Sequence, residues 1–239
     1  INWLFIIICV VMLFAGCSSL NTETDLLECD AATMTHFPYT DNGVIVVKHQ
    51  ECTPVADIPG LTRIETFYVN EGKPITVRAY EMCRTEIKVQ DTIAWSLQPS
   101  STSGRLDWVL PVTEGFAKEN YLGMNNTDYG GGIPMIDVWQ RNGGVAIGLI
   151  EPVLRTISMP IEWKRYDDKI SMALRYEFEH PVTLNTGDTL HTFSAFRYEH
   201  TGDYFNALRT FSEVMQQEAG IQLPASEPEA TPEPEEPAP

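Results

Sequence analysis

The sequence predicts a mainly β protein, a large antiparallel β-sandwich with one helix near the C-terminus. Three observations carry that reading. Short β-branched runs recur through the middle of the chain, several alternating apolar with polar residues as strands buried on one face do. Turn-forming clusters punctuate them, among them Asp41-Asn42-Gly43, Asn70-Glu71-Gly72, Arg141-Asn142-Gly143-Gly144 and Asn185-Thr186-Gly187. Only one stretch, Asp203 to Ala219, repeats apolar residues at helical spacing and then meets a stop signal, Gly220.

Taken in order, residues 1–16 read as an export signal. Trp3 to Phe14 is almost wholly apolar, too short for a normal membrane span, and ends in small residues. Phe14-Ala15-Gly16-Cys17 resembles the lipobox of bacterial lipoproteins, although leucine is the usual residue at the Phe14 position. The resemblance implies lipidation at Cys17 and an exported, membrane-anchored protein in the outer membrane, periplasm or cell surface. Residues 17–38 form the expected tether, opened by Ser18 and Ser19.

The sandwich is expected over residues 39–202. Its strand candidates are Gly43–Lys48, Leu61–Val69, Ile75–Tyr80, Glu86–Gln90, Val145–Ile150, Ile170–Phe178 and Thr189–Tyr198. No break in composition divides this stretch, so it is read as one domain. Residues 203–220 form the helix, with Tyr204, Phe205, Leu208, Phe211 and Met215 as its apolar stripe. That stripe either packs on the sandwich or bridges to a following domain. Residues 221–239 are rich in proline and glutamate and lack the apolar surface to fold.

Charge and residue spacing exclude several functions. A net charge of −17 opposes nucleic-acid binding, which needs clustered lysine and arginine. Five tail glutamates (227, 229, 233, 235 and 236) account for part of it, leaving −12 elsewhere. The histidines at 36, 49, 180, 191 and 200 show no metal-ligand spacing, and no metal or other cofactor is expected. Cys29, Cys52 and Cys83 are too few for a disulfide framework, though enough for one bridge.

The segment with the densest binding chemistry runs from Leu106 to Trp139. Trp108, Tyr121, Tyr129 and Trp139 offer flat apolar faces that can stack on sugar rings, while Asn120, Asn125, Asn126 and Asp128 offer partners for hydroxyl groups. Gly130, Gly131 and Gly132 let the backbone approach a ligand closely, and Pro134 stiffens the exit. The same composition also suits a plain turn that caps a sandwich core.

Several blocks occur in a familiar order: Asp107-Trp108-Val-Leu-Pro111, Glu119-Asn-Tyr-Leu-Gly-Met-Asn125, Asp128-Tyr-Gly-Gly-Gly-Ile-Pro134, Val138-Trp139, Glu151-Pro152 and His200-Thr-Gly-Asp-Tyr-Phe205. Over roughly residues 40–222 the chain resembles the N-terminal β-supersandwich domain of α-galactosidase-like enzymes, glycoside hydrolase family 36 and its clan relatives. The resemblance implies a galactose-mutarotase-like sandwich, a helix leading toward a catalytic (β/α)₈ barrel, and galactosides or oligosaccharides as ligands. That barrel would be supplied in cis or by an adjacent reading frame, since it needs on the order of 250 residues and the tail is far shorter.

In the family the retaining carboxylates sit about 5 Å apart on the barrel. None of Asp107, Asp128, Asp137 or Glu151 matches one, so no catalytic residue is assigned and the chain alone is expected to be inactive. The family's sandwich lends a loop to the rim of the sugar pocket, which implies substrate contacts for Asn125, Asn126, Asp128 and Tyr129, with Trp108 as a stacking wall. A structural role for Asp128 and Trp108 stays open. The competing readings are a truncated hydrolase, a free-standing carbohydrate-binding surface lipoprotein, and a purely structural exported domain.

Overall fold

The computed structural model describes residues 33–41, 44–99, 108–122, 133–151 and 157–220. In chain order the strands are β1 (Thr33–Asp41), β2 (Val44–Pro54), β3 (Leu61–Asn70), β4 (Ile75–Lys88), β5 (Ala94–Leu97), β6 (Val109–Val112), β7 (Ala117–Lys118), β8 (Tyr121–Leu122), β9 (Met135–Gln140), β10 (Gly143–Leu149), β11 (Ile157–Ser158), β12 (Ile161–Glu162), β13 (Lys169–Leu184), β14 (Thr189–His191) and β15 (Ala195–His200). Helix α1 (Tyr204–Ala219) follows.

The strands form two antiparallel sheets, the sandwich that the sequence predicts. A nine-stranded sheet runs β1-β2-β3-β15-β10-β9-β5-β6, with β14 added to β3. The six-stranded sheet is organised around the long pair β4 and β13. Since β4 lines one edge of β13, the short strands β11 and β12 share its other edge and carry β8 and β7 beyond them.

Two cores result, one on each face of the larger sheet. Between the sheets lie Ile136, Val138, Val145, Ile147 and Leu149, packed against Met82, Ile161, Met172 and Leu174 of the smaller sheet and its connections. On the outer face, Leu61, Met135, Ala146 and Phe196 pack against Ala207 and Val214 of the helix. Burial on both faces explains why β9 and β10 are apolar almost throughout instead of alternating. The β10 residues facing the helix are the small Gly144, Ala146 and Gly148. A methyl group at Gly148 would overlap the Phe196 ring and lie 2.9 Å from Met135 Cβ, so the glycine is what lets that ring cross β10.

Helix α1 begins where Asp203 Oδ1 accepts the Phe205 amide at 3.1 Å and ends at Gly220 in the left-handed conformation. The helix lies on the sandwich's own outer face, and an ion pair between Arg63 of β3 and Glu218 fastens its last turn. The buried line is Ala207, Thr210 and Val214, flanked by Tyr204, Leu208 and Phe211. Phe205, predicted within the stripe, is instead 64% exposed, because a seat above Gly144 and Ala146 favours small helix residues at closest approach.

Three boundaries differ from expectation. The runs Ile75–Tyr80 and Glu86–Gln90 belong to one long strand, β4, whose polar middle is paired along β13. Thr189–Tyr198 is two strands, split at residues 192–194, where Thr192 Oγ1 donates to the Thr66 carbonyl at 2.8 Å. The sheet starts at Thr33, inside the stretch read as tether to residue 38: β1 pairs with β2 along its whole length, so backbone bonding compensates for its weak apolar pattern.

Cys52 is disulfide-bonded, whereas Cys83 is free and wholly buried, so Cys83 is not its partner. Burial pushes the Cys83 thiol up to about 12, with the charge of Glu81 adding to the effect. Native protein treated with iodoacetamide at pH 8 is therefore expected to leave Cys83 unmodified, and to alkylate it only after unfolding. Peptide mass analysis showing rapid native labelling would contradict the burial.

Candidate functional site

An open cleft of about 530 Å³ lies on the outer face of the nine-stranded sheet, beside the start of helix α1. Its floor follows from strand register: Trp95 of β5 stands directly opposite Trp139 of β9, and both project to the helix side. Trp139 packs at 5.4 Å between ring centres on Tyr204, which stacks on Phe205 at 4.3 Å. Trp95 is 44% exposed and neighbouring Ile93 46%, so both present apolar surface to solvent.

Side-chain hydrogen bonds set both walls. On one side, buried Gln140 accepts the amides of Gln90 and Asp91 at 2.7 and 3.1 Å and donates to the Lys88 carbonyl at 2.9 Å. That clamp holds the β4–β5 connection, which presents Asp91, Thr92 and Ile93, against the β9–β10 turn carrying Arg141. On the other side, Asn206 Nδ2 donates to the Thr201 carbonyl at 2.6 Å and Asp203 caps the helix, fixing the turn through Gly202. The cleft is thus preformed in the free chain.

The same sheet that carries the cleft holds a buried charged pair. Asp137 of β9 and His200 of β15 reach across β10, and His200 Nε2 meets Asp137 Oδ1 at 2.9 Å with both side chains fully buried. The small residues Gly144 and Ala146 on the intervening strand leave the space they occupy. Burial alone would lower His200, but the hydrogen bond and charge of Asp137 outweigh it and hold the imidazole above its usual 6.5. The other ring nitrogen, Nδ1, faces the Thr201 carbonyl at 3.3 Å. With an acceptor at each nitrogen and no nucleophile in contact among the described residues, the pair joins strands.

The residues singled out from the sequence fare unevenly. Asn125, Asn126, Asp128 and Tyr129 lie outside the described residues, as does Cys17. Trp108 is described and 38% exposed, its carbonyl accepting the Gln98 amide at 2.8 Å. Asn120 is buried, and its Nδ2 donates to the Met159 carbonyl at 3.1 Å, which gives it a structural role instead of a ligand-binding one. Tyr121 belongs to β8, with Glu119 beside its hydroxyl. Glu151 forms no ion pair with Arg141 among the described residues. Trp95 and the Asp137–His200 pair were not anticipated. Alternation around Trp95 gave a weak signal, but contacts spanning 63 residues leave no local pattern.

No protein-family model matches the sequence, and no curated sequence matches it. The fold defines a class, the two-sheet β-sandwich backed by a helix. Among solved structures the chain is similar to the GH36 α-galactosidase AgaB from Geobacillus stearothermophilus, with 11% identity and a TM-score of 0.55, over 77% of this chain and 30% of that one. It is also similar to an AgaA variant from the same organism in complex with stachyose, with 13% identity and a TM-score of 0.54, over 79% of this chain and 31% of that one. A second AgaA variant, in complex with raffinose, gives 12% identity and a TM-score of 0.51, over 81% and 30%. At these identities the likeness is one of fold, and the chain spans about 30% of the length of the enzymes it matches.

Proposed function

We propose that this chain is the non-catalytic N-terminal sandwich domain of an exported α-galactosidase-like glycoside hydrolase acting on α-galactosides. The observation that supports it most is the extent of the fold match: most of this chain superposes on under a third of each enzyme, the signature of one module within a larger protein. On this reading the bond-breaking acids belong to a (β/α)₈ barrel, in cis or from an adjacent reading frame. Asn125, Asn126, Asp128 and Tyr129, together with Trp108, contribute to the rim of its sugar pocket, and a lipid on Cys17 holds the protein at the membrane.

A second reading, a free-standing carbohydrate-binding surface lipoprotein, is favoured by the preformed aromatic cleft. Co-expression with the downstream reading frame, followed by an assay on an aryl α-galactoside, separates the two. Turnover is expected only when both parts are present. Hydrolysis by these 239 residues unaided, or a downstream frame encoding no barrel, would refute the first reading.

A further inference from the structure

We infer that the Trp95–Trp139 cleft is itself a binding site for a neutral oligosaccharide. The inference shares the carbohydrate class of the proposed function but stands on the cleft's own chemistry. Trp95 and Trp139 are cross-strand neighbours that both line the cleft, and Trp95 is too exposed to be explained as core. Pyranose rings present C–H groups on one face and hydroxyls around the edge, so they need both a flat apolar surface and a polar rim. The cleft supplies both.

The rim groups are available. Arg141 engages Asp91 only through its backbone amide, at 3.4 Å, and its guanidinium has no ion-pair partner among the described residues. Asp203 uses Oδ1 for the helix cap, which leaves Oδ2 for a hydroxyl. Two carboxylates against one guanidinium disfavour phosphates, acidic glycans and the glutamate-rich tail alike, while a neutral polyol pays no charge penalty. The volume of about 530 Å³ falls within the range typical of small-molecule sites. Because Gln140 and Asn206 already fix the walls, little ordering is needed on binding.

The test is titration of the full chain with raffinose, stachyose, maltotriose and cellotriose, followed by intrinsic tryptophan fluorescence and ligand-observed NMR. At least one sugar is expected to bind, with Trp95→Ala weakening it about tenfold, equivalent to about 1.4 kcal/mol. Arg141→Ala, at an exposed site whose side chain bonds nothing among the described residues, is expected to weaken it as well, and Trp95→Phe to restore part of the affinity. Trp108→Ala and Asp128→Ala are expected to leave this binding intact.

Binding unaffected by Trp95→Ala and Arg141→Ala but abolished by Asp128→Ala would overturn the cleft while leaving the proposed loop in place. Failure of every sugar to bind the wild-type chain would overturn it too. So would sedimentation as a dimer that Trp95→Ala dissociates, since the cleft would then be an interface between copies. The co-expression assay is independent of these outcomes.

Discussion

Replacing Asp137 with alanine is expected to destabilise the fold by about 3–5 kcal/mol, because it strands a buried imidazole that has lost its charged partner. Asp137→Asn retains the shape and one polar contact, so it should cost less at alkaline pH than at neutral pH. The reason lies in the direction of the His200 shift. A histidine raised above 6.5 in the folded state stabilises the fold fully below pH 6.5 and loses that contribution as pH rises through its higher folded value.

Burial pushes Asp137 above its usual 3.8, against the hydrogen bond and charge of His200. The raised imidazole is expected to lose its proton above pH 6.5, with Asp203 the other nearby charge. Urea unfolding of the wild type and Asp137→Asn between pH 6 and 9 checks this. The stability gap should shrink as pH rises, and a constant gap would show that His200 carries no proton in the fold.

Phe196→Ala is expected to cost about 3–5 kcal/mol by emptying the outer core. Gly148→Ala alone should cost about 1–3 kcal/mol, since the added methyl overlaps a ring that Met135 and Phe211 keep from moving. Combined, the two changes compensate: the alanine at 148 enters space that the ring vacated. The double variant should therefore be more stable than the sum of the singles predicts, by at least about 0.5 kcal/mol. Denaturant midpoints with unchanged m-values would measure it. Strict additivity would mean that the strand and the ring do not constrain one another.

These two sites show where the sequence is informative. The run Val145–Ile150 announced a buried strand, and Asp203 with Gly220 announced the ends of a helix, since both depend on neighbours close in the chain. The face of that helix was harder to read. Ranking residues by hydrophobicity put Phe205 inside, whereas close approach to a strand of glycine and alanine put Ala207 there. Pairing across strands was beyond reach: Trp95 meets Trp139 only through register, and Asp137 meets His200 only because β9 and β15 flank the same strand. Of the candidate site, Trp139 and its segment were legible for their aromatic and amide content, while the wall formed by residues 89–93 was not.

The placement of helix α1 has a mechanical corollary. Its 16 residues span about 24 Å, from the mouth of the cleft at Tyr204 to the anchor on Arg63 at Glu218. Polypeptide leaving Gly220 therefore sets off from the opposite end of the helix to the tryptophans. Cargo fused there could be heavy without shuttering the aromatic doorway, and tension on such a fusion would load the Arg63 clasp first.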